Sequence, residues 1–493
     1  MAEDKKRLLF IRTYRSVGLG GPVPPLELLY MASSIERNFD GAFDIRIIDT
    51  GINNLSLEES YSRIKYFSPD FVLMNSQVWE AGFLHRVAAL IKKIDKKITT
   101  IVQGQLATLA GEKVMFDENI DFVITGEGDL TLPVLIENVI KDEDLSAVEG
   151  IIWRKGPDIA TNKKRIFIED LNSFQISPSA WDLVNLKDYA KYSNWNGALK
   201  EDFYAPVLTS RGCPFECVFC CNRELLGKKF RTRSDENVVN EIRWLVENKG
   251  VKEIHIFDAV FNYDMERAKR ICRALINSGL KISIAFPHGM RADRMDGELI
   301  RLLKAAGTYK LVYGVESGSE NFQRKIRKNL VLDNVKEVIK KTSKSGMIVG
   351  GYFIMGFPGE TETDVEKTID FAVNSYLDIA SFFKLTLYEE VTDRYRDILD
   401  SIKSKELSDY SFEDFSYYSK KRSYAEMDAA KLNYFILKAQ RKFYMNPKRI
   451  FRSFLRFQNK ILFIKNMLIA LSLIIQSFLL KEIGSAEVTS GDS

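Results

Sequence analysis

Four of the five cysteines in this chain stand within nine residues. Cys213, Cys217 and Cys220 are spaced CxxxCxxC in Ser210-Arg211-Gly212-Cys213-Pro214-Phe215-Glu216-Cys217-Val218-Phe219-Cys220, and Cys221 follows directly. Three thiolates on one short loop can hold three irons of a four-iron cluster. Such clusters usually take four cysteines, so the fourth iron is left open for a small-molecule ligand. The competing reading is structural zinc, which wants four closed ligands, usually as two separated pairs. No second pair exists: Cys221 adjoins Cys220, and Cys272 stands alone in an amphipathic segment where it reads as a buried cysteine. Five cysteines are too few for a secreted disulfide framework, and their clustering suits metal chemistry in a reducing compartment, the cytoplasm.

The elements that must carry this loop follow from periodicity. At 493 residues the prior is about three domains. Apolar residues at 45% and charged residues at 28% are ordinary for a chain with real cores. The balance of 71 basic and 67 acidic side chains, a net +4, is too small to argue for nucleic acid, and none is expected as a partner. Met1 to Lys6 is charged and lacks the apolar run of a signal peptide.

From Arg7 to about Ile140, apolar runs of strand length alternate with helical segments. The runs are Leu8 to Ile11, Ile45 to Ile48, Phe71 to Met74, Ile98 to Val102 and Phe122 to Thr125. Such alternation predicts a flavodoxin-sized, Rossmann-like doubly wound domain over 1–144, whose ligand would lie beyond the strands' carboxyl ends. Those ends carry Gly20-Gly21-Pro22, Asp49-Thr50-Gly51, Asn75-Ser76-Gln77, Gln103-Gly104-Gln105 and Gly126-Glu127-Gly128, small and amide residues that leave room for something large. Residues 145–204 read as a linker with a hairpin formed by Ile151-Ile152-Trp153 and Arg165 to Ile168. Six further βα units from Ala205 predict a partial (β/α)6 barrel of TIM type over 205–394, and 395–493 reads as a helical region with a disordered tail.

The CxxxCxxC loop on a six-strand partial barrel, with an aromatic before its last cysteine, resembles the radical S-adenosylmethionine (SAM) enzymes. Arg231-Thr232-Arg233-Ser234, Gly314-Val315-Glu316-Ser317-Gly318-Ser319 and Gly356-Phe357-Pro358-Gly359-Glu360-Thr361 narrow it. With Asp49 and Gly126-Glu127-Gly128-Asp129, they are similar to the cobalamin-binding radical SAM enzymes, a class that includes the anaerobic magnesium-protoporphyrin ester cyclase and C-methyltransferases. The resemblance implies a [4Fe-4S] cluster held by Cys213, Cys217 and Cys220, with SAM on the open iron and a flavodoxin- or ferredoxin-type electron donor. It implies Phe219 against the adenine, Glu316 and Ser317 toward the ribose or methionine part, Arg291 at the carboxylate and Gly356 shaping a turn beside the cofactor. Cobalamin would lie on Asn75, Ser76, Gln103, Gly104 and Gly126. The signature Asp-x-His-x-x-Gly is absent and only three histidines exist, so no histidine is expected on cobalt.

Near the C-terminus, Arg441, Lys442, Lys448, Arg449, Arg452, Arg456 and Lys460 interleave with aromatic and aliphatic residues ahead of an apolar stretch, Ile461 to Leu480. Its uncharged part is shorter than the roughly 20 residues that cross a bilayer. Peripheral contact with an anionic membrane competes here with a cap packed on the barrel. The leading expectation is methylation of an unactivated carbon in a small-molecule or lipid substrate, through methylcobalamin and a 5′-deoxyadenosyl radical. A radical cyclase, hydroxylase or rearrangement enzyme is the alternative within the fold, and a cobalamin or redox sensor the alternative outside it. A tRNA methylthiolating enzyme would need a second cysteine set, which the chain lacks.

Overall fold

The computed structural model describes residues 5–14, 21–192, 199–386 and 423–457, with Lys460, Ile464 and Leu468. Of these, residues up to 192 and 202–261 belong to one compact unit. Residues 262–385 and the helices after 423 belong to a second.

The first unit opens with five parallel strands: β1 (Lys6–Arg12), β2 (Phe43–Asp49), β3 (Phe71–Asn75), β4 (Thr99–Gln103) and β5 (Phe122–Ile124). Their order is β2-β1-β3-β4-β5, so the order reverses between β1 and β3 and opens a crevice at the carboxyl ends there. Leu8, Leu9, Phe10 and Ile11 are all fully buried, as a central strand covered by helices on both faces requires. The covering helices begin where local chemistry starts them. Ser56 and Glu59 exchange hydrogen bonds in a capping box ahead of Leu57–Phe67.

The hairpin differs from expectation. β6 (Ile151–Lys155) pairs with β7 (Asp158–Thr161), not with 165–168, because the two-residue turn Gly156-Pro157 returns the chain at once. β6 also pairs antiparallel with β5, so the hairpin extends the first sheet to seven strands. Residues 163–168 instead follow the first domain through separate bonds: Gly150 N to Lys163 O (2.7 Å), Arg165 Nε to Thr131 Oγ1 (2.9 Å) and Ile168 N to Glu127 Oε2 (3.0 Å).

The same unit holds β8 (Tyr204–Val207), a short antiparallel ribbon of β9 (Ser210–Arg211) and β10 (Arg231–Thr232), and β11 (Glu253–Ile256), which is parallel to β8. In the second unit β12 (Ser283–Met290), β13 (Thr308–Glu316), β14 (Ile348–Met355) and β15 (Ile379–Lys384) run parallel in sequence order. β8 and β11 to β15 are the six expected barrel strands, with helices such as Met265–Asn277, Leu332–Lys344 and Glu362–Asn374 between them.

The second unit also holds helices Ala429–Tyr444 and Pro447–Arg456. Lys442 and Lys448 are exposed, but three of the arginines turn inward. Arg449 is buried and donates to the carbonyls of Leu377, Phe443, Val373, Ala372 and Ser375, closing the C-terminus of Glu362–Asn374. Arg452 and Arg456 reach the buried carboxylate of Asp378 at 2.9 and 2.8 Å. The large apolar side chains that helix 447–456 exposes are Phe451 and Leu455, with Lys448 exposed at its start. Among the described residues no helix is long and apolar enough to cross a membrane. Ile461 to Leu480 lies outside the described residues except for Ile464 and Leu468, as does the expected tail Gly484 to Ser493.

Candidate active site

The cysteine loop spans the residues between β9 and β10. Gly212 starts it at φ +87°, where a Cβ would stand 2.1 Å from the Lys229 carbonyl oxygen, so no other residue fits. Cys213 N donates to Gly227 O at 3.0 Å and Cys220 N to Cys217 O at 3.3 Å, which folds the segment back on itself. Cys217 is buried; Cys213, Cys220, Cys221 and Phe219 are half-buried. Burial, and then the neighbouring thiols Cys221, Cys217 and Cys213, push the Cys220 thiol well above its ordinary value. Neighbouring thiols oppose one another's ionisation and a bound cation reverses that, so three cysteines on one loop are donors of the type an iron–sulfur cluster takes. Among the described residues no three Cys, His, Asp or Glu side chains stand as a ready-made metal site.

Just ahead of the loop, Asp258 beyond β11 accepts from Thr209 N (2.6 Å), Thr209 Oγ1 (2.5 Å) and Ser210 Oγ (2.5 Å). This buried carboxylate anchors the strand end from which the cysteines depart.

At the carboxyl edge of the first sheet the expected residues are together. Asn75 Nδ2 donates to Gln103 Oε1 and to Glu27 Oε2, each at 2.8 Å, and Gln103 Nε2 donates to Gly126 O at 3.1 Å. The Ser76 amide donates to Gln103 O at 3.2 Å. Gly104, at φ +106°, would place a Cβ 2.9 Å from Asn75 Nδ2 and 3.0 Å from Ser76 O. The amides thus satisfy one another across the strand ends, and the glycines keep that edge low. A low edge fits a large flat ligand. Glu27, which joins this network, was not legible from the sequence because it lies a whole element away.

Asp49 is buried. The Arg12 guanidinium, 3.4 Å away, and the Gly51 amide, at 3.0 Å, oppose a burial effect that still leaves its carboxyl above the ordinary range. Two of the three histidines are engaged elsewhere: His85 Nδ1 lies 2.7 Å from Asp117 Oδ2, and His255 Nε2 lies 2.6 Å from Glu253 Oε1. His288 is exposed near the end of β12.

In the second unit Glu316 ends β13 at φ +68°, beside a register shift against β14. Its Oε1 accepts from Lys328 Nζ at 3.0 Å, and both side chains are buried. Gly314 makes room, since a Cβ there would meet Glu316 Oε1 at 2.7 Å. Lys328 was missed by the sequence reading; it arrives on a turn whose neighbours Arg327 and Asn329 both have positive φ.

Arg291 is committed within the protein, with Asp293 at 2.8 and 2.9 Å and Lys328 O at 2.9 Å. Ser317 is fully buried; its hydroxyl accepts from Ser319 N at 3.2 Å and lies 3.3 Å from Thr368 Oγ1. Gly356, at φ +96°, donates its amide to Glu360 Oε2 at 2.6 Å. Glu316 and Lys328 form the charged pair at this strand end, whereas Ser317 and Gly356 build the turns around it.

A loop carrying four thiols between two strands, with a doubly wound parallel sheet ahead of it in the chain, suits an enzyme that works with a thiolate-bound metal and a second ligand. Residues 207–372 match the Radical SAM superfamily, and residues 16–136 match the B12 binding domain. An uncharacterized methyltransferase of Pyrococcus horikoshii is 31% identical over 76% of this chain and 78% of its own length. The cytidylyl-2-hydroxyethylphosphonate methyltransferase of Streptomyces wedmorensis is 28% identical over 73% of this chain and 75% of its own. The radical SAM methyltransferase TsrM of Kitasatospora setae, solved with cobalamin and a [4Fe-4S] cluster, shares the fold. Its TM-score is 0.66 at 16% identity, covering 78% of this chain and 76% of that one. The chain belongs to the cobalamin-binding radical SAM enzymes and is methyltransferase-like. The cofactors of that family are a [4Fe-4S] cluster, SAM and cobalamin.

Proposed function

We propose that this enzyme methylates an unactivated carbon of a small-molecule substrate. The observation that carries the reading is a contact between the two candidate cofactor sites: Gln105 Nε2, beside the edge formed by Gln103 and Gly104, donates to Cys221 Sγ at 3.5 Å. The thiol it reaches adjoins Cys220. A substrate held between the two sites would meet both cofactors.

SAM cleaved at the cluster would supply a hydrogen-abstracting radical, and cobalamin the methyl group. The chain's own residues bind and orient. Cys213, Cys217 and Cys220 would hold the cluster, and Phe219 would take the adenine. Glu316, with Lys328 beside it, would bind the polar end of SAM, and Ser317, Gly356 and Arg291 shape the strand-end turns around Glu316. Asn75, Ser76, Gln103, Gly104 and Gly126 would hold cobalamin. In this reading the cobalamin-binding domain runs past residue 144 to take in the hairpin, the barrel begins after residue 204, and the limit expected at 394 lies outside the described residues.

A flavodoxin- or ferredoxin-type protein supplies electrons, and the work is cytoplasmic. Phe451 and Leu455, exposed on the last helix, support peripheral membrane contact, and the inward-facing Arg449, Arg452 and Arg456 add nothing to it.

The test is a comparison of small molecules from wild-type and deletion strains fed methyl-labelled methionine, followed by turnover of the missing compound's precursor. Labelled product, with S-adenosylhomocysteine and 5′-deoxyadenosine in about equal amounts, supports methylation. Deoxyadenosine without S-adenosylhomocysteine or label transfer replaces it with cyclisation, hydroxylation or rearrangement. Neither product, from a fully loaded protein, indicates a sensor.

A further inference from the structure

Arg211 and Arg231 flank the cysteine loop and are direct partners across the β9–β10 ribbon. Two like charges opposite each other on a ribbon repel. The compensating carboxylates follow a strand of another sheet, on alternate positions of Gly126-Glu127-Gly128-Asp129 after β5. Arg211 grips Asp129 with both terminal nitrogens, at 3.1 and 3.2 Å, and Arg231 grips Glu127 likewise, at 2.9 and 2.8 Å. Arg211 also lies 3.4 Å from Glu127 Oε1. All four side chains are at most 7% exposed, so water screens none of these pairs.

The two acidic residues are themselves held. Ser34 Oγ donates to the Asp129 backbone carbonyl at 2.5 Å, and Ile168 N donates to the Glu127 carboxylate at 3.0 Å. Tyr30 lies under the Arg211 guanidinium at 4.6 Å and Phe167 under that of Arg231 at 5.2 Å. The loop has other means of keeping its own shape: Asp258 braces Thr209 and Ser210, and backbone bonds close the loop on Gly227. Two parallel forks between planar ions fix direction as well as distance. Their work is therefore the placement of the loop, not its folding.

We propose that Glu127 and Asp129 are positioning residues of the cobalamin-binding domain, which grip the cluster loop at its neck through Arg231 and Arg211 and so set the separation of the two cofactors. This rests on the cofactor sites proposed above. Neither carboxylate needs to touch cobalamin, cluster or substrate.

The experiment uses the full chain reconstituted with cluster and cobalamin and reduced to the paramagnetic cluster and cob(II)alamin. Their spin–spin interaction is then measured by pulsed electron paramagnetic resonance. Wild type should give one narrow distance distribution. Asp129→Asn with Glu127→Gln, carrying wild-type iron, sulfide and cobalamin, should broaden it at least twofold. Each single variant, and Arg211→Lys, which keeps the charge but loses the fork, should fall between. Asp117→Asn, a carboxylate paired elsewhere in the same domain, should leave it unchanged. If the double variant does not fold, the single variants and Arg211→Lys decide. An unchanged distribution in loaded variants overturns the proposal. Loss of cluster or cobalamin from every variant also overturns it, by marking these residues as holders of the fold. A wild-type chain that takes up only one cofactor instead refutes the cofactor assignment beneath it.

Discussion

Lys328 Nζ stands 3.0 Å from Glu316 Oε1 where β13 ends, and the glutamate takes a left-handed backbone to meet it. A non-glycine residue held there costs roughly 1–3 kcal/mol, and such strain gathers where a side chain must be aimed. Glu316→Gln removes the charge that Lys328 neutralises, and Lys328→Met removes its partner. Either substitution should weaken SAM binding by about tenfold or more, the worth of one charge-assisted hydrogen bond. Iron and sulfide content should stay at the wild-type level. Equilibrium binding of SAM to the reconstituted protein measures it.

Ligation of the cluster by three thiolates, as proposed, would make each of the loop cysteines necessary. Cys213→Ala, Cys217→Ala and Cys220→Ala should each lose the cluster and all SAM cleavage. Cys221→Ala should keep most of both. Cys272, buried in Met265–Asn277 with its thiol pushed up to about 12 by burial, should be replaceable by alanine with only a packing cost. Iron and sulfide analysis after anaerobic reconstitution checks the set.

With His85 and His255 each engaged by a carboxylate, cobalt should carry no protein nitrogen. The cobalt(II) spectrum of the loaded chain should lack nitrogen superhyperfine splitting and should be unchanged in His85→Ala. At the cobalamin edge, Gly104→Val forces a β-branched side chain onto φ +106° and into Asn75 and Ser76. It should cost roughly 1–3 kcal/mol in stability and lower cobalamin uptake. Absorbance titration with hydroxocobalamin, set beside a urea melt, reads both effects.

Glu360 gives a pH dependence whose sign can be worked out. Burial pushes its carboxyl from 4.5 up to about 8, against the amides of Gly356 and Phe357, and its Oε1 has no hydrogen-bond partner. The folded chain therefore keeps a proton that the unfolded chain releases between those two values. Stability from this group is full below pH 4.5 and lost as pH rises through 8, at up to roughly 1 kcal/mol per pH unit. Glu360→Gln mimics the protonated form, so urea unfolding between pH 5 and 8.5 should show the difference between wild type and variant shrinking toward acid.

Arg449 meets five backbone carbonyls that would otherwise end a helix and a turn in the protein interior. Arg449→Met should cost about 3 kcal/mol, since each buried acceptor left alone loses its hydration without replacement. Thermal unfolding of the full chain reads this directly.

The architecture and the metal chemistry were legible from local signals. Apolar runs such as Leu8 to Ile11, alternating with amphipathic segments, are statements about burial, and the spacing of Cys213, Cys217 and Cys220 is chemistry confined to one loop. The hairpin partner was misplaced because 165–168 is as apolar as a strand, and only the Gly156-Pro157 turn sets where the return arm begins. The C-terminal arginines read as a surface because periodicity reports a face, not which way that face turns. Asp378, buried in the second unit, turns it inward. The same limit hid the pairing of motifs already visible in the sequence. Gly126-Glu127-Gly128-Asp129 and the arginines around the cluster loop pair across 82 and 104 residues, and ion pairs at that range depend on where two sheets bring their ends. Local propensity and burial are written residue by residue, so the sequence determined the elements and set the cysteines on one loop. Charge pairing, strand-end placement and the pKa of a buried acid depend on distances that exist only once the chain has folded, and those the tertiary structure decided.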